Sequence, residues 1–484
     1  MLQYGKKLLQ EHKKKEGDTA MILAAYAVPH PPIIVPEIGK GEEKKIARTS
    51  AAYDAVMAEA AALHADTLVI TSPHADAYVD YFAISPGTEA EGSFGQFGAP
   101  QVRIKVSYDK ALAAAISERA EDKGLAAGLL GTHHPELDHG TLLPLYFYQK
   151  HGDVNTLKIV RIGLSGLSPE AHYALGKTIA EAASSLKRRI IFIASGDLSH
   201  KLREDGPYGY APEGPLWDRD CLSFLEKADF VSLLTMDPTF SRKAAECGLH
   251  SFWIMAGALD GLTVSTTRHS YEDIFGVGYG VVSFSVTGAN PERQLAGVLH
   301  QQLAEKRKTQ KQQEDPYVTL ARRSVETIVT TGRPLPLPEH LPKALTGSRH
   351  GVFVSLHLYG NLRGCIGTIA PTKKSTALEI IANGISAALH DSRFPAVRKE
   401  ELPDLVYSVD ILGVPERIAD ESSLDPKRYG VITESLDGTR RGLLLPDLDG
   451  VESVSQQIQI ARQKGGIGAD EPILLYRFTV TRHA

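Results

Sequence analysis

Four histidines stand at comparable places in the chain, and imidazole is the side chain suited both to binding a transition metal and to moving a proton near neutral pH. His30 follows the apolar run ILAAYAV in the string VPHPPIIVPEIG, His74 follows TLVIT in TSPHAD, His139 lies in ELDHGTLLPLYF, and His200 follows RIIFIA in SGDLSH. One histidine in such a loop is most simply a hydrogen-bonded loop residue; four at matching positions point to a shared centre. Neutral imidazoles from separate loops bind iron, zinc or copper when the fold brings them together. Two of them with one carboxylate form a facial triad, which leaves three positions of an octahedral Fe(II) open for substrate and dioxygen. The third ligand is offered late, in AAECGLHSFWIMAGAL, where Glu246 and Cys247 precede a largely apolar helical run. Glu246 would complete the 2-His-1-carboxylate set, whereas Cys247 would give a softer His2Cys set favouring copper or zinc. Spacing does not separate the two. Each also has a plain structural role open to it, Glu246 at a helix start and Cys247 as a small buried apolar residue. Asp197, three residues before His200, is placed either to orient that imidazole or to cap a turn.

A second motif lies far downstream. NLRGCIGT puts glycines on both sides of Cys365, with Arg363 close by, directly after the apolar string GVFVSLHLY. Glycine permits close backbone approach and positive φ, so a thiol and a guanidinium in such a loop would suit an anion or a reactive electrophile. The plainer alternative is a tight turn with a buried cysteine.

The histidine motifs need strands whose ends converge. From Met21 to about Val286, short β-branched runs alternate with long Ala-rich stretches. The expected strands are Ile22–Val28, Thr67–Thr71, Lys158–Gly163, Arg189–Ala194 and Tyr279–Val286. Between them, Glu42–Ala65 and Pro169–Lys187 carry few breakers and many residues that lose little on entering a helix. The alternation predicts a layered α/β domain over 21–286, with helices on both faces of a mostly parallel central sheet. In such a sheet functional groups collect at the carboxyl ends of the strands, where His30, His74 and His200 fall. Residues 287–315 are charged and Gln-rich, without a useful apolar stripe, and read as a linker. From 316 to 484 an amphipathic helix (Tyr317–Thr331), a Pro-rich turn (Pro334, Pro336, Pro338) and the strands Gly351–Tyr359, Leu405–Leu412 and Ile473–Val480 predict a smaller α+β domain. Residues 1–20 are basic and polar, and read as an N-terminal extension, either a solvated helix or residues ahead of the true start.

Composition sets the outer limits. At 484 residues the chain exceeds the ~150 of a typical domain, and 43% hydrophobic with 23% charged residues is the balance of an ordinary globular protein. With 53 basic and 58 acidic side chains the net charge is −5, which gives no footprint for nucleic acid or an anionic membrane. No apolar run reaches the ~18 residues of a membrane span, and no signal-peptide pattern is present. Three cysteines, Cys221, Cys247 and Cys365, are too few and too dispersed for a disulfide framework, so a cytoplasmic location is expected.

Taken together, PHPPIIVPEIG, TSPHAD, the FGQFGAP loop (Phe94–Pro100), LDHGTLLPL, SGDLSH and YEDIFGVGYG resemble a class III extradiol ring-cleaving dioxygenase of the LigB-like superfamily, over most of residues 21–286. The resemblance implies Fe(II) held by His30 and His74, with the ECG element supplying the third ligand. It makes His200 the acid/base and His139 a histidine that orients substrate or oxygen, the substrates being a catechol-like small molecule and O2. The superfamily also contains Memo-like proteins, in which the cysteine of a CG motif takes the third position. Here that CG lies at Cys247 with Glu246 directly before it, so a metal-binding accessory protein without ring cleavage is the alternative. NLRGCIGT, HDSRFPAV, VDILGVPE and GLLLPDL resemble an AMMECR-type domain over about 316–484. Their fusion implies the AmmeMemoRadiSam grouping, with a radical-SAM protein as partner; a homo-oligomer is left open.

Overall fold

The apolar runs of the first part of the chain become strands: β1 (Ile22–Val28), β2 (Thr67–Ser72), β3 (Phe82–Ala83), β4 (Glu89–Phe94), β5 (Ala99–Tyr108), β6 (Ala127–Gly128), β7 (Lys158–Gly163), β8 (Ile190–Ser195), β9 (Leu262–Glu272) and β10 (Tyr279–Ala289). This computed structural model describes residues 21–448 and 450–484; the extension expected over 1–20 lies outside the described residues. The chain divides into two units, the first ending at Ala304 and the second beginning at Glu305. Among the described residues no helix is long and apolar enough to cross a membrane.

In the first unit eight strands form one sheet in the order β4-β5-β7-β2-β8-β1-β10-β9. The central five run parallel, with β4 antiparallel at one edge and β10 and β9 antiparallel at the other. β2 and β8, TLVITS and IIFIAS, are buried along their whole length, which suits strands covered on both faces. Alternate residues of β1 supply two separate cores. Ala25 and Ala27 pack under the helices Pro169–Ser185 and Leu249–Ala258, while Ala24, Tyr26 and Val28 pack under Ala47–Ala62 and His139–Tyr148. This is the layered, mostly parallel α/β fold. The hairpin β4–β5 and the edge strand β9 are additions to the expected strands.

The stretch expected to be a linker without apolar anchors contains a helix, Ala296–Gln313, and its Leu299 and Leu303 are buried in the core of the first unit. Two leucines four residues apart share one helix face, and this narrow stripe suffices for docking.

The second unit is α+β. Two antiparallel sheets, β12-β11-β13-β18 and β14-β17-β15-β16, are built from β11 (Val352–Leu358), β12 (Asn361–Gly367), β13 (Leu405–Leu412), β14 (Glu416–Ile418), β15 (Gly430–Ser435), β16 (Arg441–Leu444), β17 (Ile473–Phe478) and β18 (Val480–His483). The helices Pro316–Thr331 and Thr376–Leu389 join Val352, Val354, Leu356, Tyr407 and Val409 in its main core. The run Ile473–Val480 splits between two sheets at Thr479. NLRGCIGT is not a loop. Tyr359 and Gly360 take the turn, with φ of 49° and 79°, and residues 361–367 return as β12 paired with β11. Two positive-φ residues between paired strands are the geometry a tight hairpin demands.

Candidate metal centre

Strands β2, β8 and β1 are neighbours and parallel, so the loops leaving them meet at one end of the sheet. That brings His30, just beyond β1, to His74, just beyond β2. His139 arrives as the first residue of the helix His139–Tyr148, capped by Asp138. The Nε2 atoms of His30 and His74 lie 3.0 Å apart. The ring centroid of His139 is 4.0 Å from that of His74 and 5.3 Å from that of His30. Cys247 Sγ lies 3.5 Å from His30 Nε2. His30 therefore belongs to two groups whose ligand atoms lie within 4.8 Å of one another, His30–His74–His139 and His30–Asp197–Cys247.

Each of these two groups has donors that a transition metal accepts. A cation bound at ~2.0–2.3 Å by nitrogen and sulfur holds its ligands about this far apart. Burial first, and then the neighbouring His74, hold the His30 imidazole down to about 3; burial, His74 and His30 hold His139 down to about 3. At neutral pH both are uncharged, which is the form that ligates.

Glu246 is not brought to the histidines. Its Oε2 accepts the Leu249 N–H at 2.7 Å, at the start of the helix Leu249–Ala258, and burial pushes its carboxyl up to about 7. Ala245, with a φ of 53°, turns the chain just before it. Residue 247 then pairs with residue 197: the Asp197 N–H donates to Cys247 Sγ at 3.2 Å, and the Cys247 N–H to the Asp197 carbonyl at 3.4 Å. That pairing holds the thiol against His30.

Asp197 does not orient His200. Its Oδ1 accepts the His30 backbone N–H at 2.7 Å, its Oδ2 lies 3.8 Å from His30 Nε2, and burial pushes the carboxyl up to about 6. His200 is held instead by the Ala244–Ala245 segment. Its N–H donates to the Ala244 carbonyl, and its Nδ1 donates to that of Ala245. Tyr208 lies edge-on to its ring at 5.1 Å. Phe97, from the FGQFGAP turn of the β4–β5 hairpin, lies edge-on to His139 at 5.1 Å.

The sequence reasoning passed over four residues that support this cluster: Ser72, Ser195, Asp138 and Arg161. Signals existed. Both central strands end on a serine at the point where they meet the crevice, and Arg161 is a charge inside the otherwise apolar KIVRIG. Its guanidinium is 1% exposed, and it donates to Ser85 Oγ at 2.7 Å and to the carbonyls of His134 at 2.9 Å and Glu136 at 2.5 Å.

In the second unit, Cys365 sits part-buried on β12. Ser355 Oγ–H donates to its Sγ at 3.1 Å, its N–H donates to Asp391 at 2.9 Å, and Arg393 donates to its carbonyl at 3.1 Å. Arg363 is not available to an anion, because on a strand its guanidinium meets the neighbouring segment. It is bound to Glu401 at 2.7 and 3.1 Å and to the carbonyls of Pro395 and Ala396.

A mostly parallel α/β sheet gathers imidazoles, a thiol and a carboxylate at its carboxyl end, in groups that could hold a metal ion. The family described as the catalytic LigB subunit of aromatic ring-opening dioxygenase matches residues 24–282, and AMMECR1 matches residues 318–483. The chain belongs to the LigB family and carries an AMMECR1 domain after its LigB domain. It is similar to the protein CA_C1420 of Clostridium acetobutylicum, 40% identical over 466 residues that span 95% of this chain and 98% of that one. A protein of Thermotoga maritima is 51% identical over 172 residues, 35% of this chain and 98% of its own. Among solved structures, uncharacterized protein PH0010 of Pyrococcus horikoshii matches 34% of this chain and 88% of its own length at 32% identity and a TM-score of 0.32. Uncharacterized protein JW3007 of Escherichia coli K12 matches 54% and 99% at 14% identity and a TM-score of 0.35.

Proposed function

We propose that the LigB domain holds one transition-metal ion through His30, His74 and Cys247 and serves as a Memo-like metal-binding accessory protein, working beside a radical-SAM partner. The observation that carries this reading is the thiol of Cys247 at 3.5 Å from His30 Nε2, with Glu246 committed to a helix end. Two imidazoles and a thiolate make a softer set than two imidazoles and a carboxylate, suited to copper or zinc as well as to iron. When bound, the ion supplies a Lewis-acid or redox centre. Around it His139 and Phe97 offer flat surfaces for a ring or a planar group, and Asp197 pins the His30 backbone.

A second reading, Fe(II)-dependent opening of a catechol ring by O2, is favoured by His200. Its Nδ1 proton is engaged by the Ala245 carbonyl, which leaves Nε2 free to take a proton from a bound hydroxyl. Metal analysis of the anaerobically purified full chain, followed by oxygen uptake with Fe(II) and a catechol panel, separates the two. The accessory reading expects about one metal ion per chain, lost in Cys247→Ala, and no catechol-dependent uptake. Catalytic uptake by the wild type overturns it in favour of the dioxygenase.

A further inference from the structure

Two serines end two neighbouring strands, and both are tied to the same turn. Ser195, the last residue of β8, is fully buried, and its hydroxyl donates to the Gly140 carbonyl at 2.7 Å. Ser72, the last residue of β2, donates to Asp138 Oδ1 at 2.5 Å. Each serine, its single proton committed, then accepts from a histidine. His30 Nδ1 lies 3.0 Å from Ser195 Oγ, and the His74 backbone N–H lies 3.2 Å from Ser72 Oγ. The turn between the two acceptors carries the third imidazole, His139.

We infer that Ser195, Ser72 and the turn Asp138–Gly140 are positioning residues that fix which ring nitrogen of His30 faces the metal and hold the three imidazoles in register; the assignment rests on the metal centre proposed above. A hydroxyl has one proton and two lone pairs. With the Ser195 proton on the Gly140 carbonyl, its oxygen can only accept from His30, so His30 carries its proton on Nδ1. The Nε2 lone pair then turns toward His74 and Cys247. A ligating imidazole is commonly fixed by such a bond from its second nitrogen. The turn itself is rigid. Asp138 accepts the Thr141 N–H at 3.0 Å and the Thr141 hydroxyl at 2.8 Å, and Arg161 lies 3.7 Å from its other oxygen. A β-carbon at Gly140 would overlap the Ser72 hydroxyl and stand 3.4 Å from His30 Nδ1, so only glycine lets the turn touch both serines.

The test uses the metal-free full chain with 15N-labelled histidine. Long-range 1H–15N correlation reads the His30 tautomer, and zinc titration reads affinity. The wild type is expected in the Nδ1–H form. Ser195→Ala is expected to lose that preference and to bind zinc about 10-fold or more weakly, with Ser195→Thr restoring both. A wild-type His30 in the Nε2–H form overturns the inference without any variant, and so does a Ser195→Ala chain that keeps the Nδ1–H tautomer. A wild type with the Nδ1–H tautomer that binds neither zinc nor iron overturns the metal centre instead, and the tautomer measurement tells the two failures apart.

Discussion

Glu246 and Cys247 are adjacent in the chain and belong to different structures: the thiol lies 3.5 Å from His30 Nε2, while the carboxylate accepts the Leu249 N–H at 2.7 Å. One residue ends the histidine cluster and the other begins a helix. Replacing Glu246 with Ala should therefore leave the metal content of the full chain unchanged and cost about 1 kcal/mol of stability, the usual loss for one hydrogen bond. Metal analysis and thermal unfolding of the same sample check both halves. Metal lost in proportion to Glu246 would restore the carboxylate as a ligand.

His200 offers a test of proton transfer apart from metal binding. In His200→Phe the metal content should match the wild type, since the imidazole is held by the Ala244–Ala245 segment rather than by the cluster. If oxygen uptake with a catechol is present in the wild type, it should fall by ~10²-fold or more in the variant. Uptake that survives the change would take the acid/base role from this residue.

Asp218 gives a pH-dependent signature. It is buried, accepts the Ser199 N–H at 2.7 Å and the Tyr271 hydroxyl at 2.8 Å, and is pushed by burial up to about 7. Its folded value lies above the unfolded one, so the native state binds the extra proton and stability falls as pH rises through the interval between the two. Asp218→Asn carries no such charge; its carbonyl can accept from Ser199 and its amide can donate to the Tyr271 oxygen. The stability of the variant relative to the wild type should therefore rise from about pH 5 to about pH 8, by on the order of 2 kcal/mol. Melting temperatures across that range measure it, and a flat difference would show that the carboxyl titrates normally.

Leu299 and Val298 are neighbours on the helix Ala296–Gln313, yet Leu299 is 1% exposed and Val298 48%. Leu299→Ala should destabilise the first unit by about 2–4 kcal/mol, while Val298→Ala should stay within about 0.5 kcal/mol of the wild type. Denaturant titration of the full chain compares them. Equal effects would return this stretch to the role of a bare linker.

Cys365 and Cys221 should differ in reactivity. Cys221 is fully buried; Cys365 is partly exposed and receives a hydrogen bond from Ser355. Iodoacetamide should label Cys365 first, and Ser355→Ala should slow that labelling because the bond favours the thiolate. Mass spectrometry of the digested chain reads both sites. Protection of Cys365 equal to that of Cys221 would leave it as a structural cysteine.

The sequence showed the centre of the sheet more clearly than its edges. Apolar runs such as ILAAYAV and RIIFIA, short and bounded by turn signals, read as buried strands, and such runs carried His30, His74 and His200 to one end of the fold. The edge strand β9, LTVSTTRHSYE, is mostly polar and takes its register from β10, so its own pattern says little. The β4 string EAEGSF is as weak, although its partner β5 alternates apolar and polar residues and could have been found. In the second unit the glycines of NLRGCIGT pointed to a turn that lies two residues upstream. Which of Glu246 and Cys247 lies against His30 was closed to the sequence because it depends on the hydrogen bonds between residues 197 and 247, and on the left-handed conformation of Ala245. The serine supports were hidden for another reason: a serine at a strand end is ordinary until its acceptor, from a distant turn, is known.

Gly140 has a consequence for how relatives of this chain can diverge. Because even a methyl group there would displace the Ser72 hydroxyl, a side chain at position 140 can be accommodated only if the contact between Ser72 and Asp138 is rebuilt at the same time.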